Sequence, residues 1–188
     1  MMKKPMHKND RRPPKRQSEY EEKTLEIRRV NRVVKGGKRF SFRATVIVGN
    51  KRGKVGVGIA KGLDVPSAIE KAKRQAEKEV FFVPLKDKRT IPYDVEAKYR
   101  ASRVLLKPVR AGHGLIAGGP MRIVLDLAGV KDISAKILGK TTNKLTNAMA
   151  TVVALKKFGA REKFAKHAEE SIESGESTEE KEDDIESY

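Results

Sequence analysis

From Arg39 to Val48 the chain alternates: Phe40, Phe42, Ala44, Val46 and Val48 interleave with Arg39, Ser41, Arg43 and Thr45. A period of two belongs to a strand with one buried face. The polar turn Gly49-Asn50-Lys51-Arg52-Gly53 follows, and Val55, Val57 and Ile59 then resume the period with Gly56 and Gly58 between them. The pattern requires an antiparallel hairpin with one core face and one partly basic face. Glycine weakens a strand, so Gly56 and Gly58 on the same face mark a place where something large approaches the backbone. With lysine and arginine at both ends, the expected visitor is a polyanion.

The charge of the whole chain points the same way. Its 188 residues hold 42 Lys+Arg against 25 Asp+Glu, a formal net charge of +17. Residues 164–188 contain ten acids and two lysines, a local −8, and removing that from +17 leaves residues 1–163 at +25. Such a density opposes compactness unless a polyanion neutralises it, and nucleic acid is the commonest candidate. Binding a membrane surface would call for a basic amphipathic helix carrying bulky apolar residues or Trp. The chain has no Trp and no such helix. It has no apolar run long enough for a bilayer or a signal-peptide core, and no cysteine, so a cytoplasmic protein without disulfides or a Cys-based zinc site is expected.

Four segments are expected. Residues 1–24 read as a basic disordered arm, since 1–18 hold seven cations, one acid and three prolines without hydrophobic period. In 25–85, Leu25, Ile27, Val30, Val33 and Val34 lead into the Lys35-Gly36-Gly37-Lys38 turn and the hairpin. A helix then follows, with Asp64 as N-cap, Pro66 in its first turn, and Val65, Ala68, Ile69, Ala72, Ala76 and Val80 at helical spacing. In 86–160, strands are expected over Ile91–Tyr99 and Val104–Lys107, a glycine-rich loop over Gly112–Gly119 and a helix over Pro120–Ala128 closed by Gly129. A short strand is expected at Ile133, and a last helix runs from its cap Asn143 to Gly159. Residues 161–188 form an acidic tail. The fold class is α+β in two lobes.

Each motif has competing readings. Phe40 and Phe42 resemble the base-stacking strand of RNA-recognition motifs, but the segment before Lys35 is too short for that fold's first strand and crossover helix, so core packing is favoured. The loop Gly112-His113-Gly114-Leu115-Ile116-Ala117-Gly118-Gly119-Pro120 precedes a helix, whose amides and positive end suit a phosphate. With Pro108 it resembles the Pro-x-x-x-Gly-x-Gly loop of small-molecule kinases. It lacks the following Ser, a Walker Lys-Ser or Lys-Thr, and an assignable carboxylate pair for Mg²⁺. Contact with RNA or a protein neighbour is favoured, Arg110, His113 and Arg122 flanking the amides. His7, His113 and His167 are scattered, so no metal is expected, and no nucleophile elbow or His/Asp constellation suggests catalysis. Lys35, Lys38, Arg39, Arg43, Lys51, Arg52, Lys54 and Lys61 cluster at turns and on one sheet face, with no acid from Lys35 to Gly62, which favours phosphate contact over a merely solvated face.

Several segments carry a resemblance: Val34-Lys35-Gly36-Gly37-Lys38-Arg39-Phe40-Ser41-Phe42, Val48-Gly49-Asn50, Gly53-Lys54-Val55-Gly56-Val57-Gly58, Val65-Pro66-x-Ala68-Ile69-x-Lys71-Ala72, Ile116-Ala117-Gly118-Gly119 and Leu127-Ala128-Gly129-Val130. In this order, over Leu25 to Phe158, they resemble the family of the bacterial small-subunit ribosomal protein five. The resemblance implies a first lobe similar to double-stranded-RNA-binding domains and a second with a left-handed β-α-β crossover, against the usual right-handed rule. It implies a structural constituent of the small ribosomal subunit that binds small-subunit ribosomal RNA, stabilises the head relative to the body and contributes to translational accuracy. Small-subunit proteins four and eight would be its neighbours. No cofactor, small-molecule substrate, membrane or enzymatic activity is implied.

The RNA-binding set expected on these grounds is Lys35, Gly36, Gly37, Lys38, Arg39, Arg43, Lys51, Arg52, Lys54, Gly56, Gly58 and Lys61, with Arg110, Gly112, His113 and Gly114. The expected protein-interface set is Gly118, Gly119 and Arg122. Two departures stand out: His113 replaces the family's usual Thr, and Asn143-Lys144-Leu145-Thr146 replaces Asn-Pro-Ile-Asn. The competing functions are a free-standing double-stranded-RNA chaperone and a kinase-like nucleotide-binding enzyme.

Overall fold

The computed structural model describes residues 19–175; residues 1–18 of the expected 1–24 basic arm and 176–188 of the expected 161–188 acidic tail lie outside the described residues. The first lobe is an antiparallel sheet of β1 (Glu21–Val34), β2 (Gly37–Gly49), β3 (Lys54–Gly62) and β4 (Phe81–Phe82), in that spatial order. Helix α1 (Val65–Lys78) packs on β2 and β3. The second lobe orders its strands β5 (Val95–Tyr99), β6 (Ser102–Pro108), β8 (Ile133–Ile137) and β7 (Leu115–Ile116). Strands β7 and β8 run parallel, joined by α2 (Gly119–Ala128) in a β-α-β unit. Helix α3 (Lys144–Gly175) packs against β5, β6 and α2.

The caps follow local chemistry. Asn143 Oδ1 accepts the Leu145 N–H at 3.1 Å, closing the start of α3 as its short polar side chain predicts. Gly129, at φ +87°, ends α2 in the left-handed conformation that a Cβ disfavours. Asp64 stands at the N-cap of α1 with extended backbone, but its side chain makes no capping bond; Pro66, with its fixed φ, marks the start.

The expected Gly112–Gly119 loop contains the short strand β7, and three boundaries differ most from the sequence expectation. The first strand starts at Glu21, because Glu21–Thr24 pair with β2 although they are polar. Ile91 is buried outside any strand, and the strand expected from it starts only at Val95, beyond Pro92, which has no N–H for a ladder. Helix α3 does not end at Gly159 but continues to Gly175. One interior glycine costs a helix only about 1 kcal/mol, and Ala160-Arg161-Glu162-Lys163 beyond it are good helix formers.

Both faces of the inner half of β2 are covered. Ala44, Val46 and Val48 pack with Ala68, Ala72 and Ala76 of α1. Ile47, with Val55 and Val57 of β3, joins Met121, Leu125, Leu127, Leu155 and Phe158 in a core that both lobes share. An irregularity between Thr24 and Glu26 interrupts the β1 register, and Leu25 at that point belongs to the shared core. Burying a side chain of this size stabilises by roughly 1.5–3 kcal/mol, so the two lobes are bound to each other by several such terms.

Candidate nucleic-acid interface

Val34 pairs with Gly37, so Lys35-Gly36 is a two-residue hairpin loop, and the register follows from it. Arg32 stands opposite Arg39 and Arg28 opposite Arg43, while Arg43 on its other side faces Lys61. All five lie on the sheet face turned away from α1, since Ala44, Val46 and Val48 occupy the opposite one. Cross-strand partners stand about 5 Å apart, where like charges repel. Glu26 pairs with Arg28 at 2.8 Å, and among the described residues no other carboxylate is in ion-pair reach of the five. The row is unfavourable in the free protein and becomes favourable against a line of phosphates.

The hairpin tip is open. A Cβ on Gly36 or Gly37 would meet no described residue within 4 Å, and Lys35 and Lys38 on either side are exposed. Of the residues expected to bind RNA, the structure thus gathers Lys35, Gly36, Gly37, Lys38, Arg39, Arg43 and Lys61 in the outer half of the ribbon. Sequence reading missed Arg28 and Arg32. The signal was available: once the turn is fixed at Lys35-Gly36, counting back along β1 puts both on the basic face.

The inner half requires corrections. A Cβ on Gly56 would lie 2.3 Å from the Ala76 carbonyl oxygen, and one on Gly58 would lie 2.1 Å from that of Ala72. The close visitor inferred from these glycines is α1, not a polyanion, and neither glycine is open to RNA. The turn after β2 is likewise engaged. Lys51 and Gly53 donate their N–H groups to the carbonyls of Leu127 at 3.0 Å and Ala128 at 2.8 Å. A Cβ on Gly129 would lie 2.3 Å from the Lys51 carbonyl oxygen, so this contact excludes side chains. The Lys51 ammonium pairs with Glu21 at 2.7 Å, and that hydrogen bond raises its pKa. Arg52 and Lys54 are exposed beside this joint, away from the five-cation row. Phe40, expected in the core, is 47% exposed, whereas Phe42 packs at the edge of the α1 cluster.

In the second lobe, the N–H groups of Gly112 and Gly114 both donate to Asp132 Oδ1 at 3.0 Å. Arg89 Nε donates to Asp132 Oδ2 at 2.9 Å, and the Asp132 side chain is 3% exposed. The Gly114 amide lowers the carboxyl's pKa; burial acts against it, and Arg89 and Gly112 reinforce the lowering. These two amides already hold a carboxylate, so the Gly112 and Gly114 part of the phosphate cradle read from the glycines is not available. The strap joins residues 18, 20 and 43 positions apart and follows no sequence motif, which is why it was missed. Arg110 and His113 remain exposed on the rim of a cleft of about 710 Å³ that Lys86 and Arg89 also line. Gly118 and Gly119 begin α2 with Arg122 exposed one turn on; Ile116, 52% exposed, lies on the neighbouring edge strand β7.

Among the described residues no group of three His, Asp or Glu is placed to hold a metal ion, and no helix is long and apolar enough to cross a membrane.

Residues 20–84 match the family described as ribosomal protein S5, N-terminal domain, and residues 97–168 match ribosomal protein S5, C-terminal domain. Small ribosomal subunit protein uS5 of Thermotoga neapolitana is 51% identical over 155 residues, covering 82% of this chain and 86% of that protein. The uS5c protein of Cyanophora paradoxa is 47% identical over 148 residues, 79% of this chain and 87% of its own. The uS5 protein of Prochlorococcus marinus is 45% identical over 166 residues, 88% and 79% of the two chains.

Proposed function

Given that this chain belongs to the ribosomal protein S5 family, and is therefore a structural protein of the small ribosomal subunit, we propose that it binds small-subunit ribosomal RNA through the outer half of its β1–β2 ribbon. The observation that carries the reading is the row Arg28, Arg32, Arg39, Arg43 and Lys61, like charges set opposite one another with a single acid among them. Beyond the row, exposed Lys35 and Lys38 flank the tip, Lys38 on the opposite face of the ribbon, where bare Gly36 and Gly37 let the backbone meet RNA. Phosphate contacts of this kind set position and orientation rather than read sequence.

The second lobe supplies the other contacts in this reading. Arg110 and His113 meet RNA with their side chains, and Gly118, Gly119 and Arg122 face a protein neighbour, with small-subunit proteins four and eight as the proposed partners. The shared core and the Gly49–Gly53 joint make the two lobes one body, so RNA held by the ribbon keeps a fixed relation to whatever the second lobe grips. That rigid spacing is the proposed means of stabilising the head relative to the body and of influencing translational accuracy, in cytoplasmic ribosomes and without chemistry. The kinase-like alternative is weakened, since the Gly112 and Gly114 amides of its glycine loop are bound to Asp132.

Contacts to six to ten phosphates predict that affinity for small-subunit ribosomal RNA falls roughly 10³- to 10⁵-fold between 50 and 200 mM salt, by analogy with duplex DNA. Sedimentation separates the remaining alternative. A subunit constituent stays with small subunits through a wash, whereas a free-standing double-stranded-RNA chaperone is left in the supernatant.

A further inference from the structure

The face of the outer ribbon opposite the basic row has a different chemistry. Past the end of the α1 cluster it carries Arg29, Asn31 and Val33 of β1, with Lys38 and Phe40 of β2. The Arg29 guanidinium carbon lies 3.7 Å from the centroid of the Phe40 ring, a stacked cation–π contact. Among the described residues no carboxylate reaches Arg29, so the ring and not an acid holds the guanidinium. Asn31 stands directly opposite Phe40 and is exposed, and Val33, opposite Lys38, is 71% exposed.

A planar cation held on an aromatic ring, with a carboxamide beside it and lysine next to it, is the chemistry that receives a nucleobase. The base stacks on the exposed guanidinium plane or ring, Asn31 hydrogen-bonds its edge, and Lys38 neutralises the attached phosphate. A purely apolar partner would leave Arg29 and Asn31 desolvated without partners, which disfavours a protein core contact here. Duplex RNA keeps its base faces stacked and offers none to such a platform. We propose that the Arg29–Phe40 stack binds an unpaired nucleotide, so that the ribbon grips RNA on both faces: phosphates on the basic side, and a splayed base on the other. This inference rests on the RNA-binding reading above and adds a preference for a bulged or looped strand.

The test uses the full chain with two RNA hairpins identical except for one bulged nucleotide in the stem. The bulged hairpin is expected to bind about 5- to 150-fold more tightly, the range of stacking one base. Phe40→Leu and Arg29→Lys, both at exposed positions, are expected to abolish that preference while the salt dependence on the fully paired hairpin changes little. Equal binding of the two hairpins by the unaltered chain, or a preference that survives Phe40→Leu, overturns the base-stacking proposal and leaves the phosphate reading standing. Failure to bind either hairpin at low salt overturns both.

Discussion

The β1–β2–β3 ribbon has two halves that look alike in sequence and differ in every physical respect. In the inner half, α1 lies on one face and the second lobe on the other, and the glycines are there because helix atoms approach to 2.1 Å from where a Cβ would stand. In the outer half no described residue packs on Gly36 or Gly37, and five cations share one face. A glycine between strand residues therefore marks a close approach, without saying whether the approaching body belongs to the same chain.

The difference is broken most severely at Gly58. A methyl group there must displace backbone of α1, so Gly58→Ala is expected to cost about 3 kcal/mol or more, read as a lowered urea midpoint. Gly129→Ala adds a left-handed residue to a contact with the Lys51 carbonyl and is expected to cost about 2–4 kcal/mol. Its signature is loss of exchange protection at the Lys51 and Gly53 amides, which the joint protects.

In the strapped loop the effect is local and depends on pH. The folded pKa of Asp132 is depressed, so its stabilising contribution is complete above its ordinary value of about 3.9 and is lost as pH falls through the lower folded value. Exchange at Gly112 and Gly114, corrected for intrinsic rates, is expected to be protected near neutrality and to open only as the pH falls below the ordinary carboxylate value toward the lower folded one. Asp132→Asn removes most of that pH dependence.

On the outer ribbon the sign reverses. Arg43→Gln relieves repulsion with both Arg28 and Lys61 and is expected to stabilise the free protein by about 0.2–1 kcal/mol, while lowering the RNA salt slope by about 1. Gly36→Ala, in open space, is expected to shift stability by less than about 0.5 kcal/mol.

Much of this was legible in the sequence. The period of two located β2 and β3, the small residues of α1 gave its buried face, and Gly129 and Asn143 ended and began their helices as local chemistry dictates. Fold class and family followed, with the hairpin tip as a candidate site. The inter-lobe joint was not legible, because Lys51-Arg52 has the composition of a solvated turn and only the tertiary position of Leu127–Gly129 makes it a docking point. Nor was the exposure of Phe40: it shares a face with Ala44, Val46 and Val48, and alternation cannot show that α1 stops short of it. Asp132 lay in no motif, and its partners are distant in the chain.

The central claim is that the outer ribbon carries the RNA. The most direct measurement is the salt dependence of binding to small-subunit ribosomal RNA by the full chain and by a variant with Arg32, Arg39, Arg43 and Lys61 all changed to Gln, with folding checked by circular dichroism. The account predicts a native spectrum and a log–log slope reduced by about 3 to 4, at roughly 0.7–0.9 per phosphate contact. An unchanged slope in a folded variant, with the dependence lost only when Arg110 and His113 are replaced, would contradict it.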